Sequence, residues 1–147
     1  WIDSGNRFQR RVRRGAENAE MDDSNLSGEV IGAAIEVHRL LGPGLLESAY
    51  ELALARELAL RGVRVERQKA VPLEYKGTAL GDGFRIDLLV QEQVIVEIKA
   101  VERIQAIHEA QLLTYLRLAD KRLGLLINFN EKTIKEGVKR VVKPRFC

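Results

Sequence analysis

The chain has 147 residues, 46% of them hydrophobic and 31% charged. These proportions suit one globular domain, long enough to bury a core without disulfides or structural metals. Cys147 is the only cysteine, so no disulfide framework exists and a reducing, cytoplasmic compartment is expected. The longest uncharged runs, such as Leu123 to Asn130, are far too short to span a bilayer, and no secretory signal pattern opens the chain. The net charge of +3 divides unevenly: five arginines against three acids give +2 in residues 1–20, leaving +1 for the rest. Charge alone therefore does not argue for nucleic acid. A local basic run does follow Glu131, where Lys132, Lys135, Lys139, Arg140, Lys143 and Arg145 face only Glu136. Such an end can contact phosphates or simply be solvated.

Residues 1 to about 24 show no sustained apolar period and read as a disordered lead or extension, with the domain occupying 25–147. The chain opens on Trp1, and Met21 stands just before the first patterned segment, so an origin at Met21 is expected. A first helix is predicted from about Ser27 to Leu41, capped by Ser27 or Ser24, with Val30, Ala34, Val37 and Leu41 as its apolar stripe. Gly42-Pro43-Gly44 breaks it. A second helix runs from about Leu45 to Arg61 and stops at Gly62.

Residues 63 to 75 alternate as extended structure, with Pro72 marking an edge or a bend. The stretch "GDGFRIDLLVQEQVIVEIKA" reads as a hairpin, Phe84, Ile86, Leu88 and Val90 alternating on one strand and Val94, Val96, Ile98 and Ala100 on the other. Folding it about Glu92 sets Asp87 opposite Glu97, with Lys99 further along the same face. Like charges opposed across a ladder are destabilising. A third helix spans about Ile104 to Ala119, and "LGLLINF" reads as a strand buried on both faces. The tail "TIKEGVKRVV" fits either a strand or a short helix. The order predicts an α/β domain with helices on a small mixed central sheet.

A divalent cation between Asp87 and Glu97 would turn their repulsion into coordination, since Mg²⁺ is commonly held by one or two carboxylates plus phosphate oxygens and water. Lys99 would then stand where it can orient a water and neutralise phosphate charge. An ion pair between Lys99 and either acid is the plainer alternative. On the third helix, Gln111 and Tyr115 share a face with His108. On the second, Glu47 and Tyr50 share a face, and Glu47 also complements the helix dipole. His38 and His108 fit phosphate binding or proton transfer and a hydrogen-bonded helix–sheet junction equally well, and neither is placed in the catalytic set.

The run "HRLLGPGLLESAYE" resembles the signature of the GxxExxY protein family, with Gly44, Glu47 and Tyr50 at its three named positions. The likeness continues through "RIDLLV", "VIVEIKA", "HEAQLLTYL" and "LGLLINF". That family is assigned to the PD-(D/E)XK nuclease superfamily, whose restriction-endonuclease-like core runs helix, three strands, helix, strand. The resemblance implies that Asp87 is the metal-binding acid and that Glu97 and Lys99 form the E-x-K pair. Glu47 would be the acid of the first core helix, completing a catalytic set of Glu47, Asp87, Glu97 and Lys99. Gln111 and Tyr115 would position substrate, resembling the Q-x-x-x-Y element of recombination-associated exonucleases. Ile86 stands where many members carry a proline. The implied activity is Mg²⁺- or Mn²⁺-dependent hydrolysis of nucleic acid, DNA foremost, with a helicase or other protein partner as one route of substrate delivery. The alternative is an inactive module that keeps the fold to bind nucleic acid or a protein.

Overall fold

A computed structural model describes residues 21–81 and 83–145. Most of the expected lead and the terminal cysteine lie outside them. Helix α1 (Asp23–Leu41) starts earlier than the sequence suggested, because the Asp22 carboxylate accepts the Ser24 amide at 3.2 Å and caps it. The expected cap Ser27 is instead buried in the helix, its hydroxyl donating to the Ser24 carbonyl at 3.0 Å. Leu26, Val30, Ala33, Ala34 and Val37 form the buried stripe, whereas Leu41 faces out.

Gly42 and Gly44 take positive φ, 69° and 102°, which lets the chain reverse sharply into α2 (Glu47–Leu60). This reversal is fastened from α2 itself. The Tyr50 hydroxyl donates to the Gly42 carbonyl and accepts the Leu45 amide at 3.1 Å, while its ring stacks on Phe129 with centroids 4.5 Å apart. Tyr50→Phe keeps the stack and removes both hydrogen bonds. It should cost about 1–2 kcal/mol in urea unfolding; an unchanged midpoint would show that the fastening contributes nothing. Gly62, at φ 76°, ends α2 with its amide on the Ala59 carbonyl, as the sequence indicated.

The central sheet contains β1 (Val65–Val71), β4 (Phe84–Val90), β5 (Val94–Lys99), β6 (Leu123–Asn128) and β7 (Val138–Val142), in the order β1-β4-β5-β6-β7. Only the β5–β6 pair is parallel, joined by the crossover helix α3 (Ala106–Ala119). A separate two-stranded ribbon, β2 (Glu74–Tyr75) and β3 (Thr78–Ala79), links β1 to β4. Pro72 lies just past the end of the edge strand β1, consistent with its missing donor. The ambiguous tail contains both alternatives: the one-turn helix α4 (Ile134–Gly137), capped by Thr133, runs directly into β7. All six residues of β6 are buried, as a strand covered on both faces requires.

The sheet separates two apolar layers. Helices α1 and α2 cover one face, where Leu26, Val30, Tyr50 and Leu54 meet Leu88, Val96, Ile98 and Leu125. Helix α3 covers the other, where Leu112 and Leu116 meet Ile86, Ile95 and Leu126. Gly124 lets α3 approach closely: a Cβ there would sit 2.8 Å from the Leu112 side chain. Two tail lysines are engaged within the fold, Lys139 with Glu109 at 3.1 Å and Lys143 with Asp120 at 2.6 Å. Among the described residues, no helix is long and apolar enough to cross a membrane.

One expectation fails in an informative way. Ile86 and Leu88 do not share a face, since Ile86 packs in the α3 layer and Leu88 in the α1/α2 layer. The neighbouring strand does the same, with Val65 packing toward α1/α2 and Val71 toward α3. Pairing of β1 with β4 keeps one register on either side of this change, from Arg67↔Leu88 to Lys69↔Ile86. No residue is inserted. Instead both strands turn over together at Gln68 and Asp87, where Gln68 has φ 52°.

Candidate active site

Asp87 and Glu97 meet where the sheet turns over. The hairpin register is the expected one, Val90↔Val94, Leu89↔Ile95 and Leu88↔Val96, and it carries Asp87 to Glu97. Here side chains replace the backbone ladder. The Asp87 amide donates to Glu97 Oε1 at 3.2 Å, and Asp87 Oδ2 accepts the Ile98 amide at 2.9 Å. Each strand is thus held by the other's carboxylate rather than by its carbonyls.

Glu97 is only 6% exposed. Burial pushes its carboxyl up to about 9, and the nearby charge of Asp87 adds to the rise. Asp87 is also raised, mainly by burial and against the Ile98 amide that stabilises its charge. Burial, with the charge of Asp87 adding to it, therefore favours the protonated form of Glu97 near neutral pH, which relieves the repulsion between the two acids. That is how a stable hairpin accommodates opposed carboxylates without metal.

Lys99 lies two residues beyond Glu97 and lowers the cost of charging both acids. Among the described residues no ion pair ties it to either one. The Lys99 carbonyl instead accepts the Phe129 amide at 2.9 Å, anchoring this end of β5 beside the Tyr50–Phe129 stack.

The helix acid at this site differs from the one expected. Glu47 stands exposed on the first turn of α2, where an acid suits the helix dipole. One turn later, Glu51 is 6% exposed and faces β1. Its Oε2 accepts both Arg67 Nη2 at 2.9 Å and Arg67 Nε at 3.2 Å, and its Oε1 accepts Gln68 Nε2 at 2.6 Å. The same Gln68 nitrogen lies 3.5 Å from Asp87 Oδ1, so one amide joins Glu51 to Asp87. The Glu51 charge also raises Asp87. Sequence reading missed both Glu51 and Gln68. Glu51 follows Glu47 by four residues and shares its helical face, so the spacing held the signal without saying which acid points inward.

From the opposite layer, Tyr115 approaches the same acids. Its half-burial raises its phenol, the nearby acids adding to the rise, and its ring lies 5.0 Å from Phe84 at a 49° tilt. Gln111, one turn before it, is exposed on α3. His108 Nδ1 accepts the Gln105 amide at 2.9 Å in a capping box, and His38 Nε2 lies 2.9 Å from the Glu131 carbonyl. Both histidines thus make hydrogen bonds to backbone groups within the fold.

The donor set fits a hard divalent cation. Asp87 and Glu97 offer adjacent carboxylate oxygens, a cation would displace the Glu97 proton, and two carboxylates with water or phosphate suffice for Mg²⁺. Among the described residues, no three acidic, histidine or cysteine side chains converge closely enough to bind a metal unaided. Glu51 reaches the pair only through Gln68.

A mixed five-stranded sheet flanked by helices on both faces is consistent with a nuclease-like core. The model of the PD-(D/E)XK nuclease superfamily matches residues 24–141, nearly the whole described domain, and the chain belongs to that superfamily. No curated protein and no solved structure matched it.

Proposed function

We propose that the protein is a Mg²⁺- or Mn²⁺-dependent nuclease that hydrolyses phosphodiester bonds of DNA. The observation that carries this reading is the buried contact of Asp87 with Glu97, each carboxylate accepting an amide of the other strand, with Lys99 two residues further along β5. A purely structural hairpin has no need of two acids where one opposed pair costs stability. A divalent ion bound by Asp87 and Glu97 would supply charge neutralisation at the phosphate and a more acidic water.

The chain's own groups supply the rest. The Ile98 amide fixes one Asp87 oxygen, so the carboxylate keeps a single orientation. Burial of Glu97 limits competing water, which strengthens every electrostatic contact at that point. Lys99 carries a mobile positive charge able to hold a phosphate oxygen and orient the attacking water. Glu51, through Gln68, adds negative charge on the far side of Asp87. Tyr115 and Gln111 lie along one face of α3, suited to guiding the substrate strand past the acids.

The direct test incubates labelled single- and double-stranded DNA and RNA with the protein in Mg²⁺, Mn²⁺ or EDTA. Cleavage of DNA is expected with either metal, none in EDTA, and a loss of about 10²-fold or more in Lys99→Ala. If no nucleic acid is cut, or if Lys99→Ala cuts as well as wild type, the reading fails and an inactive binding module takes its place.

A further inference from the structure

We infer that Gln68 is the positioning residue of this site: its left-handed backbone and its side-chain amide together tie Asp87 to the fixed Glu51 carboxylate and so hold Asp87 in the orientation in which it would meet a cation beside Glu97. The inference rests on the metal-site reading of Asp87 and Glu97.

Gln68 combines three features that have no separate structural explanation. It sits inside a strand, yet its φ is 52°, a conformation that glycine, asparagine and aspartate adopt far more readily than glutamine. It lies at the level where β1 and β4 both turn over, opposite Asp87 in the register. Its amide nitrogen also reaches both carboxylates, at 2.6 Å from Glu51 and 3.5 Å from Asp87. Strained backbone held at the contact between two acids is a pattern found at sites where geometry serves function.

The identity of the side chain fits that task. Arg67 already pairs with Glu51, so a further cation at position 68 would act mainly on Asp87, and a glutamate there would add a charge beside it. A neutral amide donates to both acids without adding charge next to Asp87. The turned ladder is what makes the contact possible. It allows Glu51, from the α2 layer, to meet at Asp87 a carboxylate that Glu97 approaches along β5. Arg67 holds the second Glu51 oxygen, so Gln68 acts on a carboxylate already fixed at its other end.

The test uses Gln68→Gly and Gln68→Ala in the full chain. Glycine accepts positive φ and alanine does not, but both remove the amide. Thermal melts in EDTA should place Gln68→Gly at or above wild type and Gln68→Ala below it. Titration calorimetry should show Mn²⁺ binding weakened about tenfold or more in both variants. Cleavage by Gln68→Gly should return toward the wild-type rate as Mn²⁺ is raised, because the acids themselves remain. A Gln68→Gly protein that binds Mn²⁺ as tightly as wild type overturns the inference while leaving the metal site intact. A wild type that binds no Mn²⁺ removes the site, and the inference with it, and the wild-type titration alone reveals that case.

Discussion

Without divalent metal, the protein should lose stability as the pH rises from about 6 to about 8.5. In the unfolded chain the Glu97 carboxyl titrates near its ordinary value of 4.5, whereas in the fold it is held up to about 9, by burial first and by Asp87 second. Between those values the folded chain holds a proton that the unfolded chain has released. The stabilisation is full below the unfolded value and is lost as pH climbs through the folded one. The slope is at most about 1.4 kcal/mol per pH unit, so two units remove roughly 2–3 kcal/mol. Asp87 is raised as well, so its contribution has the same sign over the pH range above its ordinary value of 3.8. Urea unfolding in EDTA at several pH values reads this directly. Saturating Mg²⁺ or Mn²⁺ should flatten the slope, since a cation displaces the Glu97 proton, and metal affinity should itself rise with pH. Stability that stays level or increases over this range would mean that Glu97 is ionised in the metal-free fold.

Asp87→Asn should separate stability from activity. Asparagine keeps an oxygen to accept the Ile98 amide and removes the charge that opposes ionisation of Glu97. In EDTA near pH 8 the variant should be as stable as wild type or more so, by up to about 1 kcal/mol. Cleavage should fall by about 10³-fold or more, because a first metal ligand is lost and several kcal/mol of transition-state stabilisation go with it. The ion-pair alternative for Lys99 predicts the opposite stability change, since it makes Asp87 a stabilising partner. Chemical melts of both proteins, with EDTA and with Mn²⁺, distinguish the two. A clearly destabilised metal-free variant, beside a wild type indifferent to Mn²⁺, would defeat the metal reading of this hairpin.

The acid pair was legible because its determinants are local. Alternating apolar residues and a short polar turn fix a hairpin register, and that register alone carries Asp87 to Glu97. Buried β6 was legible for a related reason, since a strand covered on both faces must be apolar throughout. The turn-over at Gln68 was not legible. Glutamine carries no signal for positive φ, and Phe84 to Val90 looks like an unbroken alternation although its two halves face opposite layers. The choice between Glu47 and Glu51 was equally hidden, because residues four apart share a helical face and only the placement of β1 decides which one is paired. Tyr50, prominent in the sequence signature, fastens the Gly42–Leu45 reversal and stacks on Phe129. Its prominence reflects architecture beside the site rather than contact with substrate.

The close approach of α3 at Gly124 has a consequence for the distance between that helix and the acid pair. Leu112 rests on a backbone with no side chain beneath it, and Tyr115 follows one turn later on the same helix. The missing methyl group at Gly124 thus acts as a spacer setting, fixing how far the phenol stands from Asp87 and Glu97. Any bulk added beneath Leu112 lifts the helix as a rigid rod. The distance between α3 and the acid pair is therefore gauged from inside the core, at a position remote from the acids themselves.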